Sequence, residues 1–204
     1  KNQNLWQYIF EYPKITVAQV HGYCLGMGLD LAMSCRAVIC TNDAVFGDPS
    51  VRMGIASANP LWTFRIGLKK SKELLLTGKY IDGKEAERIG LVMKAVRAEE
   101  MEEVMAVETD AFARSTGMGG WDQQGVFWSS WMSIMQLSGL AAARQMTTNV
   151  NVMSSIQRPH RSLIDRGGFD FYKVREEKGL KAAIEERDAP FRKHFPQPKP
   201  KKGK

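Results

Sequence analysis

The chain has 204 residues, 44% hydrophobic and 25% charged. That is enough for one good-sized domain with an appendage, and too apolar for wholesale disorder. No run approaches the eighteen or so apolar residues of a membrane-spanning helix, and no basic-then-apolar signal opens the sequence. The first residue is Lys1 rather than Met, which leads us to expect a fragment or a processed form.

The net charge of +7 is a property of one end. After Asp188 come Arg192, Lys193, Lys199, Lys201, Lys202 and Lys204 with no acid, and the remainder holds 23 basic against 22 acidic residues. The Pro-Lys segment cannot bury a core and is expected to be a disordered tail. Nucleic-acid binding would rest on that tail alone, since no recognised module accompanies it, so no nucleic-acid partner is expected. Three cysteines, Cys24, Cys35 and Cys40, are an odd count without CxxC or paired-His spacing. They read as small core residues in a reducing, cytoplasmic compartment, with neither a disulfide framework nor a metal site.

Taken in order, the β-branched stretch Ile15 to Val20 predicts a strand. His21 to Gly28 predicts a glycine-punctuated turn, Leu29 to Cys35 a buried helix, and Ala37 to Thr41 and Ala44 to Phe46 two short strands. Strand, turn, helix, strand is an α/β pattern. Pro60 suits the first turn of a helix through Ile66. Lys69 to Leu76 predicts another, stopped at Gly78. Asp82 is placed to cap a helix from Gly83 to Ile89, closed by Gly90. Leu91 to Val96 predicts a strand. Beyond Ala98 the pattern is helical, broken at Gly167-Gly168, with a final helical pair over Phe169 to Lys178 and Leu180 to Arg187. The expected organisation is an α/β core over 1–98, a helical region over 99–191 and the tail over 192–204. Trp128, Trp131, Met132 and Met135 form a helical stripe that predicts core packing or, alternatively, a subunit interface or acyl-chain pocket.

The chemistry-bearing motifs narrow by elimination. Gly26-Met27-Gly28 follows a strand, but Leu31 stands where a dinucleotide fingerprint needs its third glycine. Neither GxxxxGK[ST] nor GxSxG occurs, so nucleotide-hydrolase and serine-hydrolase signatures are missing. What remains is a tight turn feeding a helix N-terminus, whose N–H groups can hold an oxyanion. Asp30, one turn on, can move protons next to a carbonyl, or can simply be a helix-end acid. Asp48 reads as a turn residue before Pro49. Arg52 reads as a surface residue or an anion-binding group. Cys24 has no neighbouring base, so a nucleophilic role is not expected.

Several segments together resemble the enoyl-CoA hydratase/isomerase (crotonase) family: Lys14 to Met33, Ala44 to Pro49, Leu75 to Gly78, Ile81 to Val92, and Glu186 to Phe191. The resemblance is dense from Lys14 to Val96 and thin from Ala98 to Gly179. It implies an α/β spiral of ββα units whose N-terminal part is absent here, and a C-terminal helical region used in trimer or hexamer assembly. It implies an acyl-CoA substrate, with coenzyme A arriving as part of it and no separate cofactor. Two backbone N–H groups would stabilise a thioester enolate. Met27 matches one of them, flanked by Gly26 and Gly28. The other, with the CoA-binding loop, would precede Lys1. Of the family's two catalytic glutamates, the first matches Asp30. The second matches Ser50, which cannot act as an acid near neutral pH; Asp48, two residues earlier, is a candidate substitute for that acid, and Ser50 and Asp48 are carried forward as substrate-contacting candidates. Hydration of a 2-enoyl-CoA is the leading expectation. Double-bond isomerisation, thioester hydrolysis, decarboxylation and a non-catalytic CoA-binding role stay open.

Overall fold

The computed structural model describes residues 2–55, 59–115, 123–156, 169–192, 195 and 198. The expected break at Gly167-Gly168, and the tail from Lys193 apart from residues 195 and 198, lie outside the described residues. The elements run α1 (Asn2–Phe10), β1 (Val17–Val20), β2 (Tyr23–Leu25), α2 (Met27–Ser34), β3 (Ala37–Thr41) and β4 (Val45–Gly47). A 3-10 helix (Pro49–Met53), α3 (Leu61–Thr77), β5 (Ile81–Asp82), α4 (Gly83–Arg88) and β6 (Lys94–Val96) complete the first half. A short 3-10 turn (Ala98–Glu100) leads into α5 (Met101–Ser115), α6 (Gln123–Leu137), α7 (Leu140–Ile156) and α8 (Phe171–Arg192).

The strands form two sheets, ordered β1-β3-β6 and β2-β4-β5. The pairings are parallel except β4 with β5. Val17 faces Ala37 in one sheet and Tyr23 faces Val45 in the other, offsets of 20 and 22 residues. Each repeat of strand, strand and helix therefore stacks on the one before it, which is a spiral. Central strand β3 is buried at all five positions, as expected of a parallel strand covered on both faces.

Local sequence accounts for much of this. Asp82 Oδ1 accepts from the Glu85 N–H at 2.9 Å and caps α4 as expected. A Cβ on Gly83 would meet the Thr41 carbonyl at 2.2 Å, so only glycine lets α4 start against β3. The two expected helices around Gly67 are one element kinked there, with Gly67 at φ 74. Gly179 (φ 86) kinks α8 in the same way, between the two predicted helical stretches.

Four expectations change. The turn over His21 to Gly28 contains strand β2, held by β4. The strand expected over Leu91 to Val96 is shorter, because the Leu91 and Val92 N–H groups bond back to Ala86 instead of joining a ladder. Cys35 is half-buried, unlike Cys24 and Cys40, and all three are free thiols. Arg52 is not a surface residue: its side chain is fully buried, and it pairs with Asp188 at 2.9 Å.

The main core gathers Leu29, Met33, Phe46, Trp62, Leu74 and Leu140. The aromatic stripe of α6 divides. Trp128, Met132 and Met135 pack on that core, while Phe127 and Trp131 stack on each other at 6.0 Å on the exposed side. Among the described residues no helix is long and apolar enough to cross a membrane.

Candidate functional site

A cleft of about 660 Å³ opens between the start of α2, the 3-10 helix after β4, and the helices α1 and α7. Gly26, Met27, Asp30, Asp48, Ser50 and Asn59 line one side. Gln7, Glu11, Arg144, Gln145 and Thr148 line the other. The sequence candidates therefore converge, with one exception: Gly28 is exposed and does not line the cleft.

The α2 end is built by a sharp reversal. Gly26 sits at φ 52 and ψ −120, a backbone state that side-chain-bearing residues rarely take. Its N–H donates to the Gly47 carbonyl at 3.0 Å, which ties the turn to β4, and its carbonyl accepts the first helical bond from Asp30 N–H. No side chain caps this helix. Gly26 and Met27 at its start line the cleft, so the positive dipole end of the helix lies there. Met27 occupies the first helical position with its side chain largely exposed. At the far end of α2, Arg65 of α3 donates to the Met33 and Cys35 carbonyls at 2.7 and 2.8 Å. Both ends of this short helix are thus held from outside it.

Asp30 faces the cleft from one turn into α2. Burial pushes its carboxyl up to about 6, and the nearby Asp48 carboxylate adds to the rise; a hydrogen bond from Asn59 opposes both. That bond, from Nδ2 to Asp30 Oδ1, is 2.7 Å long. An acid that titrates near 6 is present in both forms close to neutral pH, which is what a group that takes and returns protons needs.

Asp48 sits at the turn before Pro49, as one of its two readings expects. Its Oδ1 accepts from the Ser50 N–H at 2.8 Å and caps the 3-10 helix, while its buried carboxylate also lines the cleft. Ser50 is half-buried beside it. Cys24 lies close enough for the Asp30 charge to act on it; burial and that charge push the thiol up to about 12. It stays protonated at neutral pH and is a poor nucleophile. Arg52 does not reach the cleft as an anion-binding group. It is sandwiched between the rings of Tyr80 and Phe191 and donates to the Gly78 carbonyl.

Two features escape sequence reading. Asn59 precedes Pro60 and looks like an ordinary helix-start residue; its bond to Asp30 spans 29 positions. The opposite wall comes from α1 and α7, where Arg144 meets Glu11 at 3.4 Å and lies over the Phe10 ring. No local motif announces that meeting. Among the described residues no group of three His, Cys, Asp or Glu side chains is placed to hold a metal ion.

Comparison with known proteins gives a consistent picture. The family model described as enoyl-CoA hydratase/isomerase matches residues 1–115. A protein named as a probable enoyl-CoA hydratase from Mycobacterium leprae is 41% identical over 97 residues, covering 46% of this chain and 38% of that protein. An enoyl-CoA hydratase structure from Mycobacterium smegmatis superposes with a TM-score of 0.79 at 23% identity, covering 95% of this chain and 63% of that one. An enoyl-CoA hydratase/isomerase from Xanthobacter autotrophicus Py2 gives 0.70 at 25% identity, over 93% and 67% of the two chains. The 204 residues thus span well under half the length of the sequence relative and about two thirds of the structural ones.

Proposed function

The chain belongs to the enoyl-CoA hydratase/isomerase family and has the crotonase fold, and from that premise we propose that it is the catalytic part of an acyl-CoA enzyme that hydrates a 2-enoyl thioester. The observation that carries this reading is the largely buried carboxyl of Asp30, pushed up to about 6 by that burial, lining the same cleft as the helix start one turn away.

In this mechanism the Met27 N–H, with Gly26 setting its direction, donates to the thioester oxygen. Water adds to C3 as Asp30 takes one of its protons, and the electron pair of the C2=C3 bond moves toward the carbonyl. Negative charge collects on the thioester oxygen as an enolate, where a preorganised donor stabilises it most. Collapse of the enolate then takes a proton at C2 from the same Asp30, so one carboxyl serves twice. Ser50 and Asp48 flank the substrate; coenzyme A comes and goes with it, and the steps use no other cofactor.

Isomerisation of the double bond is the second reading. Ser50 favours it, because Asp30 acting alone can lift a proton from one carbon and return it to another. We also infer self-association as a trimer or hexamer through the helical half, supported by the exposed apolar side of α6. A reducing, cytoplasmic setting is supported by the three free thiols.

The test is a panel of acyl-CoA thioesters incubated with the protein and followed by mass spectrometry. Hydration adds one water, isomerisation changes retention but not mass, and hydrolysis or decarboxylation cuts the thioester or releases CO₂. Asp30→Asn should lower turnover by roughly 10²- to 10⁴-fold, the usual contribution of a general acid–base group. Unchanged turnover in that variant would end the reading, and a catalogue of unaltered thioesters that nonetheless bind would favour a non-catalytic role.

A further inference from the structure

Asn59 makes two hydrogen bonds, one from each end of its amide. Oδ1 accepts from the Leu61 N–H at 2.9 Å, and Nδ2 donates to Asp30 Oδ1 at 2.7 Å. A side-chain amide has one accepting end and one donating end. A backbone N–H can only donate, so the end facing Leu61 has to be the oxygen. That leaves the NH₂ turned toward the carboxyl of Asp30. Pro60 lies between Asn59 and Leu61, at φ −65 and ψ −19, with its ring restricting the backbone there. The amide is therefore oriented by the start of α3 and cannot flip without losing the bond to Leu61.

The remaining charged or titratable neighbours do not offer a substitute. Cys24 on β2 is a protonated thiol with Asp30 nearby. Asp48 at the head of the 3-10 helix is a like charge that already accepts from Ser50. Across the cleft, Glu11 of α1 and Arg144 of α7 are paired with each other. A cationic donor in place of Asn59 would hold the carboxyl permanently ionised, whereas a neutral amide fixes its direction and leaves proton uptake possible.

We propose that Asn59 is the positioning residue for Asp30, an amide aimed by the first turn of α3 that holds the carboxyl in one orientation toward the cleft. This rests on Asp30 as the proton carrier, and the experiment separates the two ideas. Asn59→Asp keeps an oxygen for the Leu61 N–H, so the helix start is retained, but replaces the donor to Asp30 with another acceptor. Two carboxyls then share a proton, and the Asp30 midpoint should rise from about 6 by about one pH unit or more. The readouts are ¹³C NMR titration of the Asp30 carboxyl carbon, which needs no activity, and the acid limb of the kcat/KM profile. The limb should move with the midpoint, and the rate on its acid side should fall about tenfold.

An added carboxylate raises the midpoint by its charge as well as by the lost donor, so the neutral variant Asn59→Ser, which still offers a short oxygen to the helix start but no amide, decides between the roles. In Asn59→Ser the midpoint should rise and the limb move with it; if both stay where they were, Asn59 only starts the helix and the proposal is overturned. Asp30→Asn in the native background marks the other failure. Should it keep full turnover while Asn59→Ser shifts the Asp30 titration, the positioning contact stands and the proton-carrier reading falls. Should Asp30→Asn be inactive and the titration stay unmoved, only the role of Asn59 falls.

Discussion

Strand β3 and helix α6 are both apolar, yet they are used in opposite ways. Every residue of β3 is buried, clamped between β1 and β6. Helix α6 buries one side and leaves Phe127, Trp131 and Ile134 more than half exposed. The contrast extends to the halves they belong to. From Val17 to Val96 the strands pair into two sheets, with β1 on β3 and β2 on β4 at offsets of 20 and 22 residues and β3 on β6 at an offset of 55. After Ala98 the fully buried positions among the described residues are few: Met101, Leu140, Ala183, Arg187 and Asp188. The first half is held by a continuous core, and the second by isolated anchors. A region held by anchors should respond to single substitutions in an all-or-little way, whereas a continuous core distributes the loss.

The sharpest way to break that comparison is to remove the strongest anchor. Asp188 receives Arg187 through two bonds of 2.8 and 2.9 Å and Arg52 through a third of 2.9 Å. Burial pushes its carboxyl up, but the two guanidinium groups hold it below the usual carboxylate range. Asp188→Ala leaves Arg52 buried with its charge uncompensated and should destabilise by about 3–5 kcal/mol. Denaturant melts would show it, and near-native stability in the variant would mean that α8 is a passenger. The sign with pH follows. The folded carboxyl titrates below the unfolded one, so its contribution is present above the unfolded value of about 4 and is lost as pH falls through the lower folded value. The gap between native and variant should therefore narrow in acid.

The core carries an opposite case. Asp30 is raised to about 6, so the folded state holds its proton more tightly than the unfolded one. Its charge at pH 7 opposes folding. Asp30→Asn should therefore raise stability at pH 7 by roughly 1–2 kcal/mol, with the gain vanishing below about pH 4. A loss of stability at pH 7 would instead make Asp30 a helix-end acid. Finding lower turnover and higher stability in one variant would locate a functional strain within the well-packed half.

The smallest effect is expected on the exposed face of α6. Trp131→Ser should change the melting of an isolated subunit by less than about 0.5 kcal/mol, because the side chain is mostly in solvent. If that face is the self-association surface we infer, the same change should lower the mass seen by light scattering. An unchanged mass would return the face to ordinary solvent exposure.

These differences also explain which parts were legible. The Asp82 cap, strand β3 and the interruptions near Gly67 and Gly179 were visible because each is written within a few residues. Strand β2 was hidden, since Tyr23-Cys24-Leu25 is three residues between glycines and becomes a strand only by pairing with β4. Arg52 read as a surface residue because nothing near it hints at Asp188. At the site, Asp30 stands out one turn after the glycine turn, whereas Met27 and Asp48 gain their roles from the family resemblance. Asn59 did not, because its meaning lies in a partner 29 residues earlier. The two-faced stripe of α6 shows the limit of periodicity: residues three or four apart share a helix side, but spacing does not say which side finds a neighbour.

The Arg52–Asp188 pair spans 136 positions, and that distance acquires a meaning while the protein is being made. A ribosome adds about 5–20 residues per second, so Arg52 emerges roughly 7–27 s before its carboxylate partner. During that wait the guanidinium lacks the Asp188 carboxylate, so the contact that ties the last helix to the first half is among the latest the growing chain can make.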